Sequence, residues 1–303
     1  MKKHILVITS SIDETVDYLN DKYGKDVSFF RLNVDKFSEY EIGIGQCGTV
    51  IKSEGWTLKL EEIFSIYYRK PRLPDLNAFH SGYRVMLAKD IISVINGMAD
   101  GFKGTVLTRP CVLRKTENKV FQLLYALQHK VTIPVSCISN SKVILAKISN
   151  PKRIIKAINM GKAVLDGQTE LYHTNYFKEL EQDISLMPLY IQEYVTKKYE
   201  ARVIIINNQV YTVRIDSRDK LDWRRDYIGN TYKLVEAPDG VVAFCKQLLK
   251  TFGLAFGAFD FIVRNDEQWV FLEVNPNGQW LWLERELNIP VSESIIRYLT
   301  GVE

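Results

Sequence analysis

Apolar and polar positions alternate along the chain in blocks that read as strands and helices in turn. HILVITS, from His4, is a short and wholly apolar run, which predicts a buried strand. SIDETVDYLNDKYG follows with helical character: Ser11 is placed to cap it, Glu14 to complete a capping box and Gly24 to end it. VSFFRLNV is a second strand, so the chain opens with a β-α-β unit, as open α/β sheets do. Its first turn, TSSIDE, lacks the glycine fingerprint of a dinucleotide site. EIGIGQCGTVIKSEGWTLKL reads as short strands joined at glycine turns. IFSIYYRKPRLP is a strand broken by proline, with Tyr67, Tyr68, Arg69, Lys70 and Arg72 at its end. That end is either a solvated loop or a contact for an anion or a peptide, since ligands of α/β sheets gather at strand ends. From about Ala78 to Gly101, Val85, Met86, Ile91, Ile92 and Ile95 keep a helical period, and TVLTRP is a strand that Pro110 stops. A boundary is expected there, dividing 1–108 from 109–303.

Beyond the boundary, TENKVFQLLYALQHK predicts a helix capped by Thr116, with Val120, Leu123, Leu124 and Leu127 along it. Lys119 falls in its first turn, where the helix dipole disfavours a cation and an anionic partner would compensate. VSCISN is a strand, a helical stretch begins near Asn140, and PKRIIKAINMGKAV is a strand-turn-strand. Its Lys156, on an otherwise apolar strand, either snorkels outward or meets a phosphate. DGQTELYHT continues this small sheet. IQEYV is a strand made polar by Gln192 and Glu193. ARVIIINNQVYTVRID is a hairpin about Asn207-Asn208, and its simplest register points Arg202 and Arg214 to opposite faces. RDKLDWRRDYIGN is an exposed loop or a substrate-facing arginine loop, and a helix from about Asp239 to Phe252 ends at Gly253.

The last hairpin, FDFIVRNDEQWVFLEVNPNGQW, carries the chemistry. With Asn265-Asp266-Glu267-Gln268 as the turn, Asp260 falls opposite Glu273, and Asn275 shares their face. Opposed like charges destabilise a sheet. Either this face is simply solvated, or a hard divalent cation compensates the charge. Phe259, Phe261, Phe271 and Leu272 are too apolar for a wet ribbon, and magnesium takes one or two carboxylates together with phosphate oxygens. The hairpin therefore points to a magnesium-nucleotide site.

Composition narrows the alternatives. Forty basic and 36 acidic residues leave a net charge of +4, too mild to argue for nucleic acid, and the aromatic and basic residues form no stripe. Cys47, Cys111, Cys137 and Cys245 are far apart, and the four histidines form no metal-binding pattern, so free thiols in a reducing compartment are expected. The opening apolar run is too short for a signal peptide and no stretch reaches transmembrane length. These features predict a cytoplasmic protein without nucleic-acid or membrane partners.

Taken in order, a lysine before a helix, a lysine on a strand, a Gln-Glu-aromatic-Val linker and a D…ExN hairpin resemble an ATP-grasp enzyme. The pieces YYRKPR, ENKVFQLLYA, IPVSCISN, IIKA, IQEYV, YEARV, VRIDS, LDWRR, GAFDF and FLEVNPNGQWLWLE narrow the resemblance to the graspetide synthetases, the microviridin-type peptide maturases related to RimK-like ligases. The resemblance implies an α/β (α+β) ATP-grasp fold: an N-terminal pre-ATP-grasp domain at 1–108, a central lid subdomain at 109–188 and a C-terminal catalytic subdomain at 189–303. It implies ATP and Mg2+ as cofactors. Lys119 and Lys156 would hold phosphates; Gln192, Glu193, Tyr194 and Val195 would form the adenine-side linker; Glu200 would bind the ribose. Asp260, Glu273 and Asn275 would bind the metal, and Arg202, Arg224 and Arg214 would face the transferred phosphoryl group. The glycine-rich lid is matched only by Gly161 and Gly167. The partner implied is a ribosomally made precursor peptide with a leader and an acidic core, acted on by a monomer or homodimer. Tyr67, Tyr68, Arg69 and Asp222 are candidate peptide contacts, and Asp222, Asp216 and Glu284 candidate general bases. A RimK-like ligase joining amino acids or modifying a protein C-terminus would share the nucleotide site, and a non-catalytic nucleotide- or peptide-binding module would keep it without turnover.

Overall fold

The computed structural model describes residues 2–159, 162–165, 168–171, 174–177, 182–225 and 228–302. The opening β-α-β unit forms: His4–Thr9 and Ser28–Asn33 pair in parallel, and the helix Glu14–Tyr23 connects them. Ser65–Tyr68 joins the other side of His4–Thr9, and Thr105–Leu107 follows it, again in parallel. The helix is capped by Asp13 rather than Ser11, with the Asp13 carboxylate accepting from the Thr15 N–H at 3.2 Å. Ser11 donates its own N–H to Asp35 at 2.8 Å. A carboxylate caps as well as a hydroxyl and adds a full charge against the helix dipole. Residues 41–59 form a three-stranded antiparallel meander beside this sheet.

Two local expectations are corrected between residues 105 and 128. Pro110 ends the strand region by starting a helix, Pro110–Thr116, at a position where its missing N–H costs nothing. Thr116 closes that helix, donating its Oγ1 back to the Val112 carbonyl at 2.8 Å. The cap of the next helix, Lys119–Gln128, is Asn118, whose side chain accepts from Val120 and Phe121. Lys119 thus becomes its first residue.

The middle of the chain forms a four-stranded antiparallel sheet in the order Asn175–Tyr176, Arg153–Lys156, Leu189–Glu193, Ser136–Ser139. A separate hairpin pairs Lys162–Leu165 with Gln168–Leu171. Gly161 and Gly167, the candidate lid glycines, lie outside the described residues.

The C-terminal part is a five-stranded antiparallel sheet in the order Thr231–Leu234, Gln209–Asp216, Tyr199–Ile206, Phe256–Val263, Trp269–Asn275. The expected two-residue turn is present, with Asn207 at φ 52°. One face of this sheet, through Ala201, Val203, Ile205, Phe259 and Phe261, packs on Cys245, Leu248, Leu249 and Phe252 of the helix Asp239–Phe252. That helix ends where expected, on Gly253 at φ 72°, a conformation that favours glycine. The other face, through Ile204, Ile206, Val213 and Ile215, shares one core with Ile5 and Val7 of the first strand and with Trp280, Val291 and Ile295. The first strand of the chain and its last helices thus close over the same side of the C-terminal sheet.

Candidate active site

The site is built on the last hairpin, and its register is not the simple one. The Arg264 N–H donates to the Gln268 carbonyl at 3.0 Å and Glu267 adopts φ 62°, so the hairpin closes over Asn265-Asp266-Glu267. Phe261 then faces Phe271, and plain continuation would set Asp260 against Leu272. A bulge intervenes. Asp260 pairs with Glu273, and Ala258 with Asn275. One extra residue reverses the alternation of faces beyond it. Phe271 stays in the core with Phe259 and Phe261, while Glu273 emerges beside Asp260. The expected pairing holds, through a shorter turn and a bulge rather than a symmetric ribbon.

Cations compensate the opposed carboxylates. Arg202 lies across from Asp260 on the neighbouring strand, and its Nη1 donates to Oδ1 at 2.7 Å. Arg224 donates Nη2 to the other oxygen, Oδ2, at 2.6 Å and reaches Glu273 Oε1 at 3.4 Å. Asn275 donates its Nδ2 to Asp260 Oδ2 at 3.1 Å. The Lys119 ammonium, at the helix start that disfavours it, lies 3.6 Å from Glu273 Oε2 and donates to the Ala157 carbonyl at 2.9 Å. Burial alone would raise the Glu273 carboxyl; Lys119, Arg224 and Lys156 outweigh it and hold the group well below the usual carboxylate range. Burial, with the like charges of Lys119 and Arg224, pushes the Lys156 ammonium below its ordinary value despite Glu273 nearby. This lysine does not snorkel to solvent: it stands half-buried among other cations, as a group awaiting an anion does.

These residues meet in a cleft, open to solvent, between the middle and C-terminal sheets. Lys119, Lys156, Asp222, Arg224, Asp260 and Glu273 line its charged end. Gln192, Glu193, Tyr194, Val195 and Glu200 line the remainder, with Ile154, Leu221 and the bulged Leu272 as apolar wall. Gln192 is 1% exposed: its Nε2 donates to Ser136 Oγ and the Tyr190 hydroxyl, both at 2.8 Å, while its Oε1 has no partner. The Glu193 and Tyr194 N–H groups donate to Val135 and Lys152 carbonyls, tying the linker to two neighbouring segments. Burial raises the Glu200 carboxyl even though Lys197, at 2.9 Å, and Ser217, at 3.1 Å, stabilise its charge. Lys197 escaped the sequence reading; its one signal is its place three residues before Glu200.

Several candidates lie elsewhere. Arg214 is on the opposite face, as its register implies, gripping Asp216 at 2.8 and 2.6 Å and stacking over Tyr199 at 4.2 Å. Asp216 is therefore engaged away from the cleft. Glu284 is buried under Tyr18, Lys22 and Ser292, joining the first helix to the last two. Of the three candidate bases only Asp222 lines the cleft, accepting from the Arg224 N–H at 3.1 Å. Tyr67, Tyr68 and Arg69 do not offer themselves to a peptide. Tyr67 and Tyr68 belong to two hydrophobic cores, and Arg69 is 1% exposed. The run of apolar strand residues continues through them, so their side chains fill the interior. Arg69 pairs with Asp13 at 2.9 Å, donates to Thr15 at 2.8 Å and bonds to Gln279, and its carbonyl accepts from Asn277.

Residues 116–299 match the RimK-like ATP-grasp domain, and the chain belongs to that family. A Chryseobacterium gregarium RiPP-associated ATP-grasp ligase, solved with ADP and a leader and core peptide, superposes with a TM-score of 0.89 at 23% identity, covering 99% of this chain and 97% of that one. Macrocyclase MdnC from Microcystis aeruginosa, bound with precursor peptide MdnA, gives 0.87 at 24% identity, with 98% and 99% covered. ATP-grasp ligase PsnB, with a phosphomimetic variant of its minimal precursor, Mg and ADP, gives 0.77 at 19% identity, with 98% and 99% covered. The fold is that of the ATP-grasp ligases. No curated protein matches the sequence. Among the described residues no helix is long and apolar enough to cross a membrane.

Proposed function

We propose that the chain is an ATP-dependent ligase that joins a side-chain carboxylate of a ribosomally made peptide to a hydroxyl or amine of the same peptide. The observation that carries this reading is the ring of Lys119, Lys156, Arg202 and Arg224 around the Asp260–Glu273 pair, at one end of the cleft between the middle and C-terminal sheets. The two carboxylates with the Asn275 amide are an oxygen-donor set that suits magnesium, which leaves its other positions to phosphate and water. When bound, the ion supplies charge neutralisation on the phosphate oxygens. Lys119 and Lys156 hold phosphates in this reading, and Arg224 and Arg202 balance charge on the transferred group. Gln192 Oε1, a buried acceptor without a partner, and the Glu200 carboxylate would take donors of the base and ribose.

The reaction follows from that placement. A peptide carboxylate takes the γ-phosphoryl group and ADP leaves; a hydroxyl or amine then attacks the acyl carbon and phosphate leaves. Asp222, which lines the cleft wall, takes the nucleophile's proton in this reading. Here the chain is divided near residue 108, with 1–108 building the substrate side, and it works in the cytoplasm, where ribosomal peptides and ATP meet. The peptide complexes of the structural neighbours support a precursor peptide with a leader and a core as the partner. Mass spectrometry of such a precursor after incubation with the protein and Mg-ATP tests the reading, each ring closed removing one water. Tight Mg-ATP binding without ADP release on any acidic peptide would replace the ligase by a binding module.

A further inference from the structure

Two lysines stand side by side between the strands Leu189–Glu193 and Tyr199–Ile206, and they are used differently. Lys198 is exposed and pairs with Glu267 at the surface. The Lys197 side chain is only 9% exposed and stands behind Glu200, outside the cleft lining. Its ammonium uses all three of its donors: on Glu200 Oε2 at 2.9 Å, on Ser217 Oγ at 2.8 Å and on the Asp219 carbonyl at 2.7 Å. Ser217 Oγ lies 3.1 Å from the same Glu200 oxygen. Among the described residues, these bonds to the Glu200 side chain all end on Oε2. The other oxygen is left to the cleft, and burial still raises the carboxyl, so donors arriving there have charge to stabilise.

The far side of Lys197 holds the loop that brings Asp222 and Arg224 to the cleft. Glu200 pairs with Ile215, so this loop leaves the sheet, after Asp216, beside Glu200. Residues 217–222 form neither helix nor strand, and side chains set their shape. Asp219 Oδ1 accepts the Leu221 and Asp222 N–H groups at 2.7 and 2.9 Å. Asp222 Oδ1 accepts the Arg224 N–H at 3.1 Å, and Arg224 reaches Asp260 and Glu273. Hydrogen bonds thus run without a break from Glu200 through Lys197 and Asp219 to Asp222 and Arg224. An enclosed ammonium is costly to strip of an acceptor, so the carboxylate and the loop do not shift independently.

We propose that Lys197 is a positioning residue: hydroxyls of a bound ribose fix Glu200, and Lys197 passes that constraint to the loop, setting Asp222 and Arg224 in place. The sugar is then recognised in the order of the reacting end and not in affinity alone. The proposal rests on the nucleotide reading of the cleft for its ligand, but not on the chemistry that follows.

Amide hydrogen exchange of residues 217–225, read by mass spectrometry with saturating Mg-ADP or Mg-2′,3′-dideoxy-ADP, tests the relay. The two nucleotides differ only in the ribose hydroxyls, so shielding by base and phosphates cancels. In the wild type Mg-ADP is expected to slow exchange at least about five-fold more than the dideoxy nucleotide. Lys197→Met is expected to erase that difference. Asp219→Ala is expected to erase it too, because the half-buried Asp219 carboxylate bonds to Leu221 and Asp222 and not to Glu200. This second variant carries the test if the lysine variant does not fold. By reciprocity, its calorimetric preference for Mg-ADP over the dideoxy nucleotide should fall by a similar factor. A wild-type loop that exchanges alike with both bound nucleotides, or a folded variant that keeps the wild-type difference, overturns the relay and leaves the nucleotide reading intact. Mg-ADP that does not bind at all sinks both. A ribose-dependent loop in a protein that releases no ADP on any acidic peptide sinks the ligase reading alone.

Discussion

Asp260 and Glu273 stand directly opposite one another on the last hairpin, and Arg224 reaches both, at 2.6 and 3.4 Å. The pair is tolerated in the sheet because cations already stand around it. Glu273→Gln removes one of two like charges while Arg224 keeps Asp260 and Asp222. The variant is therefore expected to fold and to lose ADP release by about a hundred-fold or more. It should also lose the rise in melting temperature that Mg-ATP gives the wild type. Undiminished turnover would remove the metal assignment.

Lys156 separates binding from stability. Its depressed ammonium means that the folded protein carries a cost for charging it at neutral pH. Lys156→Met should raise the urea midpoint of the nucleotide-free protein and weaken ATP binding about ten- to a hundred-fold. An unchanged ATP requirement would count against a phosphate role.

Arg214 supplies the converse test. Its guanidinium is held by Asp216 and Tyr199 on the face away from the cleft. Arg214→Ala should leave peptide-dependent ADP release within about two-fold of wild type, the ordinary range for a surface change. A loss comparable to that of an Arg224→Ala variant would place Arg214 in the reaction after all.

Arg69→Met leaves the Asp13 carboxylate in the interior without its guanidinium. Breaking a buried pair in this way costs about 3–5 kcal/mol. Equilibrium unfolding in urea measures that loss, and a stability within about 1 kcal/mol of wild type would contradict the pairing.

Glu284 predicts part of the acid response. Burial would raise its carboxyl, but the donors Lys22, Ser292 and Tyr18 outweigh it and lower the group from 4.5. The unfolded chain then binds the proton first, so this contribution is present above pH 4.5 and lost as pH falls through the folded value. Glu284→Gln should flatten the fall in urea midpoint below that pH and cost about 1–3 kcal/mol above it. An unaltered acid limb would show that these bonds carry no linkage.

The sequence was most informative where one local rule governs. The Asn207-Asn208 hairpin, the opposed faces of Arg202 and Arg214 and the Gly253 helix end all follow from turn chemistry or the two-residue strand period. It misled where competing donors sat a few positions apart: Ser11 and Asp13, or Thr116 and Asn118, are equally good caps on paper. The Leu272 bulge left no compositional mark, and the right pairing emerged because two register errors cancelled. Tyr67, Tyr68 and Arg69 were misjudged because a polar tip says nothing about what lies across from it. Arg69 meets Asp13 from 56 residues away and Gln279 from 210, and no local pattern anticipates such partners.

The bond from Asn277 to the Arg69 carbonyl has a mechanical consequence. It fastens the opening third of the chain to the bend that follows the proposed metal ligands, so neither can rock without tugging the other. Asn275 and Asn277 are two residues apart, so one short bend carries a proposed metal ligand and, next to it, the tie to the first sheet.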